Sequence, residues 1–142
     1  MEFKLHHIGI AVKEIGPIAR IFEDKLGLSF ENKEEVENQH VRVSFSKEQP
    51  SVELVEASND KSPYFPMLPH PIKAFISKKG EGLHHICFSV KNLDDAFKEF
   101  SDSKVKILGN TIQTGSKGKR IFFIDPVETA GILIEIKEEK EQ

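Results

Sequence analysis

The chain has 142 residues, 38% hydrophobic and 30% charged, with a formal net charge of −3. That is length enough for one good core, and the slight acid excess argues against the phosphate-neutralising surface on which nucleic-acid affinity rests. No apolar run approaches the roughly 20 residues of a membrane span, and the single cysteine, Cys87, rules out an internal disulfide, so the expectation is a cytoplasmic protein with no nucleic acid and no membrane partner.

The first element, "LHHIGIAV" from Leu5, alternates as a strand does. Ile8, Ile10 and Val12 fall on one face, and Leu5, His7, Gly9 and Ala11 on the other. A helix follows, with Ile15, Ile18, Ala19, Phe22 and Leu26 at helical spacing and Pro17 in its first turn, where it is tolerated. Three β-like runs come next, at about 28–36, 41–46 and 52–55. A Pro-rich stretch then leads to "LHHICFSV" from Leu83.

That second motif repeats the first without gaps. The Leu, His, His, Ile, Val, Lys, Phe and Asp positions are identical across the aligned segments. In this copy Ile86, Phe88 and Val90 take one face, and His85, Cys87 and Ser89 the other. Leu93, Ala96, Phe97 and Phe100 make the helical stripe, with Asn92 or Asp94 available as a cap. β-like runs follow at 105–112, 120–124 and 132–136, and Phe122 and Phe123 read as core. The closing "KEEKEQ" reads as a solvated tail. The repeat is therefore β-α-β-β-β, with modules at about 3–57 and 82–137 in one domain over 1–142, joined by a Pro-rich linker at 58–81. Such modules predict an α+β fold, each sheet carrying its helix on one face and leaving the other to curve around a cavity.

Strand parity separates the two histidines of each pair. His6 and His84 lie on the helix side, where local partners satisfy them, whereas His7 and His85 point to the cavity. The last run of each module holds a second misfit: Glu53 in "SVELVE" and Glu135 in "GILIEI", each flanked by apolar residues. A carboxylate in such a setting costs several kcal/mol unless something pairs with it. The spacings rhyme, with Glu53 lying 46 residues after His7 and Glu135 lying 50 after His85. Two imidazoles and two carboxylates suit one divalent ion, with Zn, Co, Mn, Ni and Fe(II) all compatible. Surface pairing with Lys or Arg is the competing explanation of each glutamate alone, and the repeat favours the metal. Cys87, on the cavity face, is read as filling.

"HIGIAV" from His7, "PIKAFISKKGEGLHHI" from Pro71, "GSKGKRIFFIDP" from Gly115 and "GILIEI" from Gly131 resemble the vicinal oxygen chelate superfamily, and within it the methylmalonyl-CoA epimerase family. The resemblance covers nearly the whole chain. It implies paired β-α-β-β-β modules forming a curved mixed sheet around a metal-containing cavity, with metal ligands at His7, Glu53, His85 and Glu135. It further implies a metal-dependent epimerase that inverts the α carbon of a methylmalonyl-CoA-like thioester, with Glu135 as one acid/base, an acyl-CoA substrate and a homodimer. Lys117, Lys119 and Arg120 become candidate contacts for CoA phosphates. A glyoxalase-type lyase and a non-catalytic small-molecule binding or resistance protein are the alternative functions of the same fold.

Three departures from the family stand out. "ASNDKSPYFPMLPH" reads as an insertion at about 58–70 that covers or reshapes the cavity mouth. Asp125-Pro126 stands where the family has His-Pro, making a contact acidic if that position meets substrate. Arg42 stands where some epimerases have a glutamate, with Glu48 the nearest acid downstream, so the second acid/base has no assignment. Arg42 fits either an anionic ligand or a partner acid.

Overall fold

Both halves of the chain run β-α-β-β-β, and the fold is α+β. In the computed structural model the described residues are 1–63 and 68–140. Strand β1 (Lys4–Ala11) is continuous, but its two ends belong to different compact units. One unit is Ile8–His84; the other joins residues 1–7 to the chain from His85 onward.

In the Ile8–His84 unit the strand order is β2 (Glu34–Val36), β3 (Val41–Phe45), β4 (Ser51–Ala57), then the second half of β1. Strands β2, β3 and β4 pair antiparallel, with Val43 opposite Val55 and Phe45 opposite Glu53. Pleat alternation gives this small sheet two apolar faces. Val52 and Leu54 meet Val12, Ile15 and Ala19, the last two on helix α1 (Ile15–Leu26). Val41, Val43, Phe45 and Val55 meet Ile72, Phe75 and Ile76 of helix α2 (Pro71–Lys79). Leu26, assigned to the apolar stripe of α1 by its spacing, is exposed, because the helix ends there in left-handed Gly27.

Helix α2 lies in the stretch that joins the two copies. Its first turn is built from Pro71, pre-set for a helical φ, and from His70 as N-cap. His70 Nδ1 accepts from the Ile72 amide at 3.1 Å while Nε2 donates to the His40 carbonyl at 2.8 Å, so this buried ring is satisfied on both sides. Lys78 and Lys79 suit the negative end of the helix. The expected cover over the cavity mouth involved Tyr64 and Phe65, which lie outside the described residues.

In the other unit the order is β1, β5 (Gly82–Val90), β8 (Leu133–Glu138), β7 (Arg120–Ile124), β6 (Gln113–Thr114). Strands β5 and β8 are parallel, Cys87 opposite Glu135, and the β6–β7 and β7–β8 ladders are antiparallel, so the sheet is mixed. Helix α3 (Leu93–Asp102) lays Leu93 and Ala96 on Val90, Phe122, Ile124 and Ile136. The Phe122 ring meets Phe97 and Phe100 edge-on, at centroid distances of 5.4 and 5.8 Å. A fully buried phenylalanine contributes about 1.5–3 kcal/mol in area terms, which makes Phe122 a main anchor of this core.

Two strands are shorter than their apolar runs suggest. Over 28–36 only Glu34–Val36 is strand, with Phe30 making a lone bridge to Ser46. Over 105–112 the chain turns instead, because Gly109 and Asn110 take left-handed backbone angles, and the short strand falls at Gln113–Thr114. Val105, Ile107 and Ile112 still pack on the α3 core, so their apolar character is explained without a strand.

The closing "KEEKEQ" is not simply a solvated tail. Lys137 and Glu138 are the last residues of β8 and are 3% and 8% exposed. Glu138 is buried for a reason: its Oε2 accepts from the Leu93 amide, the first of α3, at 3.3 Å. Among the described residues no helix is long and apolar enough to cross a membrane.

Candidate metal centre

His7 lies near the middle of β1, His85 on β5 and Glu135 on β8, all in the unit that starts at Met1. Strand alternation turns all three side chains inward, where His7 is 2% exposed and His85 and Glu135 7% and 8%. His7 Nε2 stands 3.1 Å from His85 Nε2, 3.2 Å from Glu135 Oε1, and His85 Nε2 stands 3.4 Å from the same oxygen. Three donor atoms thus form a nearly equilateral triangle. Donors that share a divalent ion at about 2.1 Å, with angles between right and tetrahedral, are about 3.0–3.4 Å apart. The triangle has those edges, so the residues present fit a metal.

Burial by itself would raise the carboxyl of Glu135, but hydrogen bonds from His7 and His85 and their charge outweigh it and hold the group well below the usual carboxylate range. Glu135 is therefore an anion at neutral pH. Behind His7, His6 Nδ1 approaches His7 Nδ1 to 2.7 Å, and its Nε2 faces Glu139 Oε2 at 3.6 Å. Burial, then Lys137 and His7 nearby, lowers His6 to about 4. His6, His7 and Cys87 each offer a ligand-type atom, all within 4.8 Å of one another. Cys87 is fully buried, and its thiol lies 3.7 Å from the Phe88 carbonyl. Lys137 is one pleat beyond Glu135 on the same face of β8 and was missed in sequence because the tail looked solvated.

Glu53 is a buried residue of β4, in the Ile8–His84 unit, opposite Phe45. His84, in the same unit, packs edge-on against Phe75 at 5.0 Å.

A different pair of acids emerges three residues beyond the two candidate ligands. Glu56 Oε2 accepts from the Ile15 amide at 3.3 Å, as Glu138 does from Leu93, so each module's last strand holds the start of its own helix. Each of these buried glutamates also meets an arginine from the neighbouring strand. Arg42 Nε donates to Glu56 Oε1 at 3.2 Å, and Arg120 Nη1 lies 3.5 Å from Glu138 Oε2. Arg42 is thus engaged with Glu56, and at 3.8 Å with Glu35, which accounts for an arginine at that position. Glu48 accepts weakly from the exposed Ser29 amide.

The basic loop is partly committed as well. Arg120 forks onto Asp94 at 2.6 and 3.0 Å, and Lys119 pairs with Glu139 at 3.2 Å. Asp125 accepts from the Val127 amide at 3.0 Å and so caps the turn at Pro126–Glu128. Its acidity has a local structural use.

Residues 6–123 match the Glyoxalase/Bleomycin resistance protein/Dioxygenase superfamily, and the chain belongs to that superfamily. It is 38% identical over 138 residues to the Uncharacterized protein YqjC of Bacillus subtilis (strain 168), covering 96% of this chain and 93% of the relative. It is 28% identical to the mitochondrial methylmalonyl-CoA epimerase of Homo sapiens, covering 95% and 73%. A solved methylmalonyl-CoA epimerase in complex with methylmalonyl-CoA and NH4+ superposes with a TM-score of 0.83 at 25% identity, covering 97% of this chain and 95% of that one.

Proposed function

We propose that the protein is a metal-dependent epimerase that inverts the α carbon of a methylmalonyl-CoA-like thioester. The observation that carries this reading is the triangle of His7 Nε2, His85 Nε2 and Glu135 Oε1, with edges of 3.1–3.4 Å. Kinship with the epimerases supports the substrate class. A divalent ion held by these residues would supply Lewis-acid stabilisation of the negative charge that develops on a thioester carbonyl when the α proton leaves.

The chain's own residues do the rest. His7 and His85 present ring nitrogens from adjacent strands, so the donor pair is rigid without help from a loop. Glu135 turns Oε1 to the two imidazoles, and its other oxygen is the atom we assign to hold the α proton. Glu53 is proposed as the fourth ligand, on its resemblance to the family position and its burial. The ion is one of Co, Zn, Mn, Ni and Fe(II). A homodimer and contact of Lys117 with CoA phosphates belong to the same proposal.

The test is incubation of protein loaded in turn with each of these metals with one epimer of methylmalonyl-CoA in D2O. The expected result is deuterium at the α carbon together with loss of optical purity. No exchange with any of the metals would sink the proposal.

A further inference from the structure

We infer that His6 is a positioning residue for His7: its Nδ1 accepts the Nδ1–H of His7 and thereby reserves the His7 Nε2 lone pair for the metal. The inference rests on the metal reading above. The two Nδ1 atoms are 2.7 Å apart, close enough for an N–H···N hydrogen bond, so one of them carries the hydrogen. A neutral imidazole that gives its Nε2 lone pair to a cation keeps its hydrogen on Nδ1. In the loaded protein His7 is therefore the donor and His6 the acceptor.

The proton of His6 then sits on its own Nε2. That atom faces Glu139 Oε2 at 3.6 Å, beyond hydrogen-bond length but near enough for the carboxylate to favour this tautomer. Glu139 is itself held in place, by Lys119 Nζ at 3.2 Å on its Oε1 and by its backbone amide on the Val90 carbonyl at 2.8 Å. A chain of Lys119, Glu139, His6 and His7 thus sets the tautomer of one ligand from outside the donor triangle. Outer partners of this kind orient ligand histidines and raise their basicity. In the second copy of the motif the ring of His84 packs edge-on against Phe75.

Zinc titration of protein carrying 15N-labelled histidine tests the assignment. Imidazole NMR of the zinc-loaded protein should show hydrogen on Nδ1 of His7 and on Nε2 of His6. The variant His6→Phe, which keeps an aromatic ring and removes the acceptor, should bind Zn2+ about 10–100-fold more weakly. His6→Asn places a carbonyl oxygen near the lost Nδ1 and should recover most of that loss. The inference is overturned if zinc-loaded His7 carries its hydrogen on Nε2, or if His6→Phe binds Zn2+ as tightly as the parent. A parent protein that takes up no zinc, nor any other first-row divalent ion, overturns the metal reading and this inference together. The spectrum of the parent decides the question even if the Phe variant fails to fold.

Discussion

The two units use the same strand alternation for opposite ends. In Ile8–His84 the face with Val41, Val43, Phe45 and Val55 is closed by α2, a helix with no counterpart among the described residues of the other half. In the unit with residues 1–7 and the chain from His85, strands β1, β5 and β8 line up His7, Cys87, Ser89, Glu135 and Lys137, all buried and mostly polar. Burying polar side chains yields far less than burying apolar ones, so one face serves stability and the other is the face to which we assign the proposed chemistry. The difference teaches that a duplicated module can hold its helix by one conserved device, the Glu56 and Glu138 anchors, and still diverge on its second face.

On the polar face, loss of the Glu135 carboxylate should have the greatest consequence. Glu135→Gln should cut α-proton exchange by roughly 10²–10⁴-fold, the usual worth of a positioned acid or base, with the fold retained. Exchange rates in D2O alongside thermal unfolding measure both halves of that statement. An unchanged rate would remove Glu135 from the chemistry.

On the stability side, Ile72→Ala deletes a buried contact of α2 and should cost about 2–5 kcal/mol in denaturant unfolding. It should cost more stability than Glu135→Gln does. The reverse order would mean that the α2 face is not the stabilising one.

The smallest effect separates the two glutamate anchors. Glu56→Gln and Glu138→Gln should each cost about 1–3 kcal/mol by leaving buried partners poorly satisfied. The Glu56 variant should cost the more, because Glu14 makes no side-chain cap on α1, whereas Asn92 caps α3 by accepting from the Asp95 amide at 3.0 Å. Equal losses would show that the Asn92 cap adds nothing to the anchor.

Much of the architecture is legible because periodicity is local. "LHHIGIAV" and "LHHICFSV" alternate visibly, and the helical stripes after them follow a 3.6-residue period whatever surrounds them. Helix α2 had readable signals, Pro71 at its start and Lys78, Lys79 and Gly80 at its end, but its N-cap is a histidine and its apolar face is narrow. In "KEEKEQ", charge suggested solvent, yet Lys137 and Glu138 are buried. Burial of a charge depends on partners far along the chain, here the Leu93 amide and Arg120 for Glu138.

Residue spacing alone sets the repeat, the strand faces of His7 and His85, and the two helices that follow the paired-histidine strands. Tertiary structure decided what each polar group meets. It turned Arg42 and Arg120 onto acids, made Asp125 a cap, and set His6 against His7 at 2.7 Å. Hydrogen bonds and ion pairs act over about 3–4 Å in space, with no constraint on separation along the chain, so only the folded chain reveals them.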